Sequence, residues 1–177
     1  LRKRLGKDAD WPEAAASPQM TLNQAASFQA EAGGMGYWQP DNARQSPYLS
    51  AFTALSFGWL KDLGYAPPVA VWDKLDAYLL GLLKGDIGAE GYEAAETRAQ
   101  LRAVILAALA QRGKLGKAEL ERHAEMLPRM GLFGQAMFIQ AATRVEGSEA
   151  LLKRAQALLL SRGQESACRL ALREDGE

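Results

Sequence analysis

Beyond residue 46 the chain alternates two kinds of helical segment, one apolar on every side and one apolar along a single stripe. No other feature of the 177 residues restricts the fold as much. A helix without a polar side has to be enclosed, whereas a one-sided helix covers something and faces water. The run Tyr48-Leu49-Ser50-Ala51-Phe52-Thr53-Ala54-Leu55-Ser56-Phe57-Gly58-Trp59-Leu60 is of the first kind. Ser46 offers a hydroxyl as N-cap, Pro47 suits a position that needs no N–H donor, and Gly64 suits a left-handed C-terminal cap. The spacing therefore predicts an inner helix over 47–63. After Pro67-Pro68, the residues Val71, Trp72, Leu75, Tyr78, Leu79, Leu82 and Leu83 recur at three-to-four spacing. Asp73, Lys74, Asp76 and Lys84 fill the gaps, so this helix is an outer one.

The alternation repeats. Residues 93–111 end in Ala103-Val104-Ile105-Leu106-Ala107-Ala108-Leu109-Ala110, stopped by Gly113, and 117–127 is again charged and one-sided. Residues 131–145, with Phe133, Met137, Phe138 and Ile139, form a third inner segment, and 148–161, with Leu151, Leu152, Leu158 and Leu159, a further outer one. Ahead of them, 19–32 reads as a first helix, set off by the turn-rich Gly33-Gly34-Met35-Gly36-Tyr37-Trp38-Gln39-Pro40-Asp41. A period of roughly 35 to 50 residues is the range of repeating helix pairs. Each pair encloses its inner helix only when neighbours close over both flanks, so the expectation is an arc of a solenoid or ring. It would occupy residues 1–163, with an N-terminal extension over 1–17 and a connector or the start of a next element over 164–177. A chain opening on Leu1 and closing on Arg173-Glu174-Asp175-Gly176-Glu177 reads as a stretch of a longer polypeptide.

Composition removes several functions. Lysine plus arginine total 21 and aspartate plus glutamate 21, and no basic block exceeds Arg2-Lys3-Arg4, so a nucleic-acid partner is not expected. The charge-free run between Arg44 and Lys61 carries Ser50, Thr53, Ser56 and Gly58 and falls short of the roughly 20 apolar residues a bilayer requires. It reads as a buried helix, with no membrane contact. Cys168 is the only cysteine, which rules out an internal disulfide and a thiolate zinc site.

Four features could carry chemistry. Asp73 and Asp76 have the i, i+3 spacing with which paired carboxylates hold magnesium. They lie on a surface helix with no second acidic cluster, and a solvated outer face accounts for them, so no metal site is assigned. His123 has no serine or cysteine placed near it by spacing and reads as a half-exposed histidine. Cys168, with only Arg169 nearby to lower its pKa, reads as a passive thiol. Tyr37, Trp38 and Tyr48 stand apart, because a glycine-rich turn bearing a Tyr-Trp pair at one end of a helical stack suits a contact surface. The competing reading makes Trp38 a plug at the end of the core.

The stretch Gly33-Gly34-Met35-Gly36-Tyr37-Trp38, then Ser46-Pro47-Tyr48-Leu49-Ser50-Ala51-Phe52-Thr53-Ala54-Leu55, then Leu63-Gly64-Tyr65 and Pro67, resembles the thioester domain of bacterial α2-macroglobulins. The resemblance implies an all-α fold, a segment of an α/α-toroid of alternating inner and outer helices forming an incomplete ring. Terpenoid cyclases and protein prenyltransferases share that ring, so fold alone does not choose a function. The resemblance also implies a large, lipid-anchored, multidomain parent in the periplasm or cell envelope that traps proteases. There an internal thioester between cysteine and glutamine of a Cys-x-Glu-Gln motif is attacked by an amine of the protease. No such motif occurs here, and Cys168 is followed by Arg169-Leu170-Ala171, so no catalytic residue carries over and no cofactor is implied.

What the resemblance leaves is a structural and binding role, with Tyr37, Trp38 and Tyr48 packed against the thioester or a neighbouring domain. The partners it implies are other domains of the parent chain and target proteases. The enzyme alternative, a piece of an isoprenoid or carbohydrate α/α-barrel, needs clustered carboxylates at inner-helix ends, where Glu93, Glu96 and Glu146 are scattered. The remaining alternative is a helical-repeat scaffold that binds proteins.

Overall fold

Helix α2 (Pro47–Asp62) starts and stops where its end residues dictate. The Leu49 N–H donates to Ser46 Oγ at 3.2 Å, Pro47 occupies the first turn, and Gly64 closes the other end at φ +90°. There the Gly64 N–H donates to the Lys61 carbonyl and the Tyr65 N–H to the Leu60 carbonyl, the paired bonds of a glycine-capped C-terminus. The same pair of bonds, from Gly113 and Lys114 to Ala110 and Leu109, ends helix α4 (Ala95–Gln111).

The computed structural model describes residues 16–39, 45–85, 92–166 and 169–172. In chain order these form α1 (Ser17–Gln24), a 3-10 turn (Ala25–Phe28), α2, α3 (Val69–Lys84), α4, α5 (Lys117–His123), a second 3-10 turn (Ala124–Arg129), α6 (Leu132–Ala142), α7 (Glu149–Ser161), and a two-stranded antiparallel hairpin of β1 (Gly163–Ser166) and β2 (Arg169–Leu172). The hairpin falls where the sequence suggested a connector; its register pairs Gly163 with Leu172 and Ser166 with Arg169. Most of the expected extension over 1–17, together with Cys168 and the last five residues, lies outside the described residues.

The fold is all-α apart from that hairpin, with α2, α4 and α6 inside and α3, α5 and α7 outside. Helix α4 lies between α2 and α6 and is enclosed: Leu101 and residues 103–110 are all buried. Each large apolar side chain so covered contributes about 1.5–3 kcal/mol, which makes this helix the energetic centre of the array. Glycines let the inner helices approach closely. Gly58 of α2 receives the Gln111 side chain, and Gly134 of α6 receives Gln100. Helix α3 seals the outside of α2, with the Phe57 and Trp72 rings edge to face at 5.8 Å.

Three expected boundaries shift for local reasons. The segment 19–32 is α-helical only to Gln24 and passes through a 3-10 turn into an extended Gln29 that bridges Met35. The Gln29 amide donates to the carbonyls of Gly33 (2.9 Å) and Val71 (2.8 Å), fixing this bend on α3. The segment 117–127 turns 3-10 after His123 because Pro128 lacks an N–H and disfavours α geometry before it. Helix α6 ends at Ala142, where the buried Ser148 hydroxyl lies 2.6 Å from the Ala142 and Val145 carbonyl oxygens.

Helix α2 is not enclosed on every side, contrary to the reading of its sequence. Leu49, Phe52, Thr53, Ser56 and Leu60, again at three-to-four spacing, line a groove of about 390 Å³ between α1 and α2. Tyr48 stacks on Phe52 with centroids 6.0 Å apart, and Phe52 meets Trp59 edge to face at 5.9 Å. This is an open flank of the array. At the other edge Phe133 and Leu160 are exposed.

Candidate functional site

The Gly33-Gly34 turn is held in place from four directions. Gly33 has φ +96°, and a side chain there would put its Cβ 2.6 Å from the Lys74 carbonyl oxygen, so the turn rests directly on α3 with room for glycine alone. The Met35 N–H donates to Ser50 Oγ at 2.8 Å, the Ser50 hydroxyl donates to the Ser46 carbonyl at 2.7 Å, and the Ser46 N–H donates to the Met35 carbonyl at 2.9 Å. The Gly36 N–H reaches the Phe28 carbonyl at 3.0 Å. The residues that follow are thus presented on a rigid base. Tyr37 is 63% and Trp38 79% exposed. Trp38 is therefore no plug: a side chain open to water over most of its surface closes no core.

Tyr48 is 40% exposed and belongs to a different place. Its N–H donates to Tyr92 Oη at 3.3 Å, and its ring lines a cavity of about 590 Å³ at the N-terminal ends of the three inner helices. Tyr37 lines the α1–α2 groove instead, and Trp38 lines neither. The cavity draws on α2 through Tyr48, on α4 through Glu96, Thr97, Gln100 and Leu101, and on the approach to α6 through Arg129, Met130 and Gly131, with Arg162 from beyond α7. Its arginines and Tyr92 escape a reading of motifs. The signal available in the sequence was register: Tyr48, Tyr92 and Arg129 all fall within a few residues of an inner-helix start.

Two side chains depart from their expected setting. Asp76 is not on a solvated face. It is 4% exposed and accepts from Arg112 Nε at 2.9 Å, while Arg112 Nη2 pairs with Asp73 and the guanidinium lies 4.3 Å from the Trp72 ring centroid. Burial raises the Asp76 pKa above its ordinary value, against the hydrogen bond and charge of Arg112, which lower it. One arginine thus answers both aspartates.

His123 is likewise buried, at 4% exposed, because the stripe Leu120, Ala124 and Leu127 faces the core. Its Nε2 lies 3.4 Å from Glu119 Oε1. Burial lowers its pKa, Glu119 opposes that, and Arg102 and Arg122 add to it. Glu93 and Glu96 stand at the start of α4 and Glu146 beyond α6. Among the described residues no three His, Cys, Asp or Glu side chains come together as metal ligands, and no helix is long and apolar enough to cross a membrane.

An array of alternating inner and outer helix pairs, with an anchored aromatic turn at one end, defines a segment of an all-α fold of the α/α-toroid class. Two solved structures share the fold. The crystal structure of native α2-macroglobulin from Escherichia coli, spanning domain MG7 to the C-terminus, matches 96% of this chain with a TM-score of 0.78 at 19% identity. The electron-microscopy reconstruction of the native conformation of Escherichia coli α2-macroglobulin matches 90% with a TM-score of 0.75 at 18% identity. The chain spans 27% of the first structure's length and 10% of the second's. No family model matches the sequence, and no curated relative does.

Proposed function

We propose that this chain is part of the helical ring of a bacterial α2-macroglobulin-like protease trap, with a structural and binding role. The observation that carries the reading is the fold likeness over nearly the whole chain to the two Escherichia coli α2-macroglobulin structures. The Gly33-to-Trp38 turn supports it, because the residues that carry the sequence resemblance are the ones anchored as a rigid exposed platform. In this reading residues 1–163 are an arc of the toroid, and further helices of the same polypeptide cover the open flank of α2. Tyr37, Trp38 and Tyr48 contact a neighbouring domain or the region holding the thioester. The parent works in the periplasm or cell envelope.

The chemistry belongs to the parent. An amine of the attacking protease adds to the thioester carbonyl, the C–S bond breaks as an amide forms, and the cysteine leaves as a thiol carrying the proton the amine gives up. This chain positions and shields that group without supplying it. The test is methylamine labelling of the natural full-length polypeptide before and after limited proteolysis, with free thiols counted by mass spectrometry. One methylamine gained together with one thiol freed is the expected result. Failure to gain either would remove the covalent trap and favour physical confinement of proteases or a protein-binding scaffold.

A further inference from the structure

His123 lies among opposite charges without a hydrogen bond to any of them. Its Nε2 is 3.4 Å from Glu119 Oε1 on its own helix. The Arg102 guanidinium of α4 is near enough to act on the ring, and its Nη1 reaches Met126 Sδ at 3.6 Å in the turn after α5. Both ring nitrogens are buried without a hydrogen-bond partner, so the neutral imidazole has its N–H and its lone pair unmet. Little around it would balance an added proton. Glu119 is already engaged by Arg122, whose Nη1 lies 2.9 and 3.2 Å from its two oxygens. Glu96 of α4 is exposed, and Arg98 donates to the Tyr92 carbonyl. Helix α6, on which the turn also packs, has no ionisable side chain. Glu149, Lys153 and Arg154 of α7 are exposed, as are Glu125 and Arg129 of the turn and Lys117 and Glu121 of α5.

The element that carries His123 is the least secured of the outer layer. Helix α5 has seven residues and no side-chain cap, whereas α3 has 16 and α7 13. The far end of the turn is pinned: Gln135 Nε2 donates to the Met130 carbonyl at 3.1 Å and to that of Leu127 at 3.4 Å. Ahead of that pin, Leu120, His123 and Ala124 are the side chains turned inward.

We propose that α5 and the turn after it form an acid-released strap: protonation of His123 frees residues 117–126 from the array, pivoting at Leu127 and Met130, while the three inner helices stay packed. A buried imidazolium beside Arg102 is disfavoured, and an opened strap lets water solvate it, so the proton binds the open form more tightly. With one histidine in the chain, no other imidazole titrates in this range. The inference goes beyond the reading as a ring segment and does not rest on it.

The test is hydrogen–deuterium exchange on the whole chain at pH 7.5 and 5.5, corrected for the pH dependence of intrinsic exchange and repeated in low urea. Amides of residues 118–126 should be less protected than those of α4 and should respond weakly to urea, the mark of a local opening. Their protection should fall several-fold at the lower pH, up to the roughly tenfold ceiling set by one proton bound at the ordinary histidine pKa. His123→Leu should abolish that fall. Glu119→Gln, at a half-buried position, removes the carboxylate that favours the proton and should give a fall at least as large as the parent's. Exchange of 118–126 in step with α4 at every urea concentration, a fall that persists in His123→Leu, or a smaller fall in Glu119→Gln would each overturn the proposal.

Discussion

Helices α2 and α4 have nearly the same length, 16 and 17 residues, and nearly the same apolar character, yet they sit in different surroundings. Helix α4 has inner neighbours on both sides and buries an unbroken run of eight residues, 103–110. Helix α2 has one inner neighbour among the described residues and shows the groove side of Leu49, Phe52 and Leu60 to its surroundings, with Trp59 38% exposed at the rim. The difference teaches that all-round apolarity records the neighbours a helix is built to have. In the proposed reading, further helices cover the open flank of α2.

Substitutions on the two helices should separate accordingly, and the largest effect belongs to the enclosed one. Leu106→Ala should cost about 2–5 kcal/mol in urea unfolding, the range for truncation in a core that cannot collapse; a cost below ~1 kcal/mol would erase the contrast with α2. Next comes Arg112→Met, which strands the buried Asp76 carboxylate and should cost about 3 kcal/mol, near the low end for a broken buried pair because Arg112 is partly exposed. Asp76→Asn in the Arg112→Met background should recover much of that loss, and a double variant no better than Arg112→Met would sink the charge explanation.

His123 sharpens the comparison through pH. Its lowered pKa means the folded state holds the proton less readily than the unfolded state. Its contribution is therefore present above pH ~6.5 and lost as pH falls through the folded-state value. Asp76, with a raised pKa, acts in the opposite sense: its contribution is full below its ordinary pKa and is lost as pH rises through the folded-state value. The loss of stability between pH 7.5 and 5.5 should thus be smaller in His123→Leu than in the parent chain. Equal losses would mean that His123 is hydrated. The smallest effects belong to the exposed aromatics. Trp38→Ala should change stability by no more than about 0.5 kcal/mol. A large loss from Trp38→Ala would restore the plug reading.

The fold was legible wherever a local cause sets it. Ser46, Pro47, Gly64 and Gly113 place helix ends to within a residue or two, because a cap acts over one turn. The alternation of helix types gave the layering, because burial leaves its pattern on every turn of a helix. What lay beyond the sequence depends on residues far apart in it. Arg112 answers Asp73 and Asp76 from 39 and 36 positions away, and no pattern within α3 announces that partner. His123 looked half-exposed because its neighbours in sequence are charged, while its own direction is inward. Trp38 shows the reverse case, since its aromatic character allowed a plug reading whereas the side chain stands open to water. The cavity beside Tyr48 was hidden for a like reason, being assembled from the starts of three helices.

Arg112 closes α4, a helix of the second pair, yet its charge is neutralised on α3, the outer helix of the first. In arrays of repeated hairpins each unit can in principle melt on its own, with stability spread as a sum of local and nearest-neighbour contributions. The guanidinium wedged between Asp73, Asp76 and the face of Trp72 ties two such units into one cooperative block. Amide protons of α3 should then exchange with deuterium in step with those of α4, and α7 should open earlier, on its own.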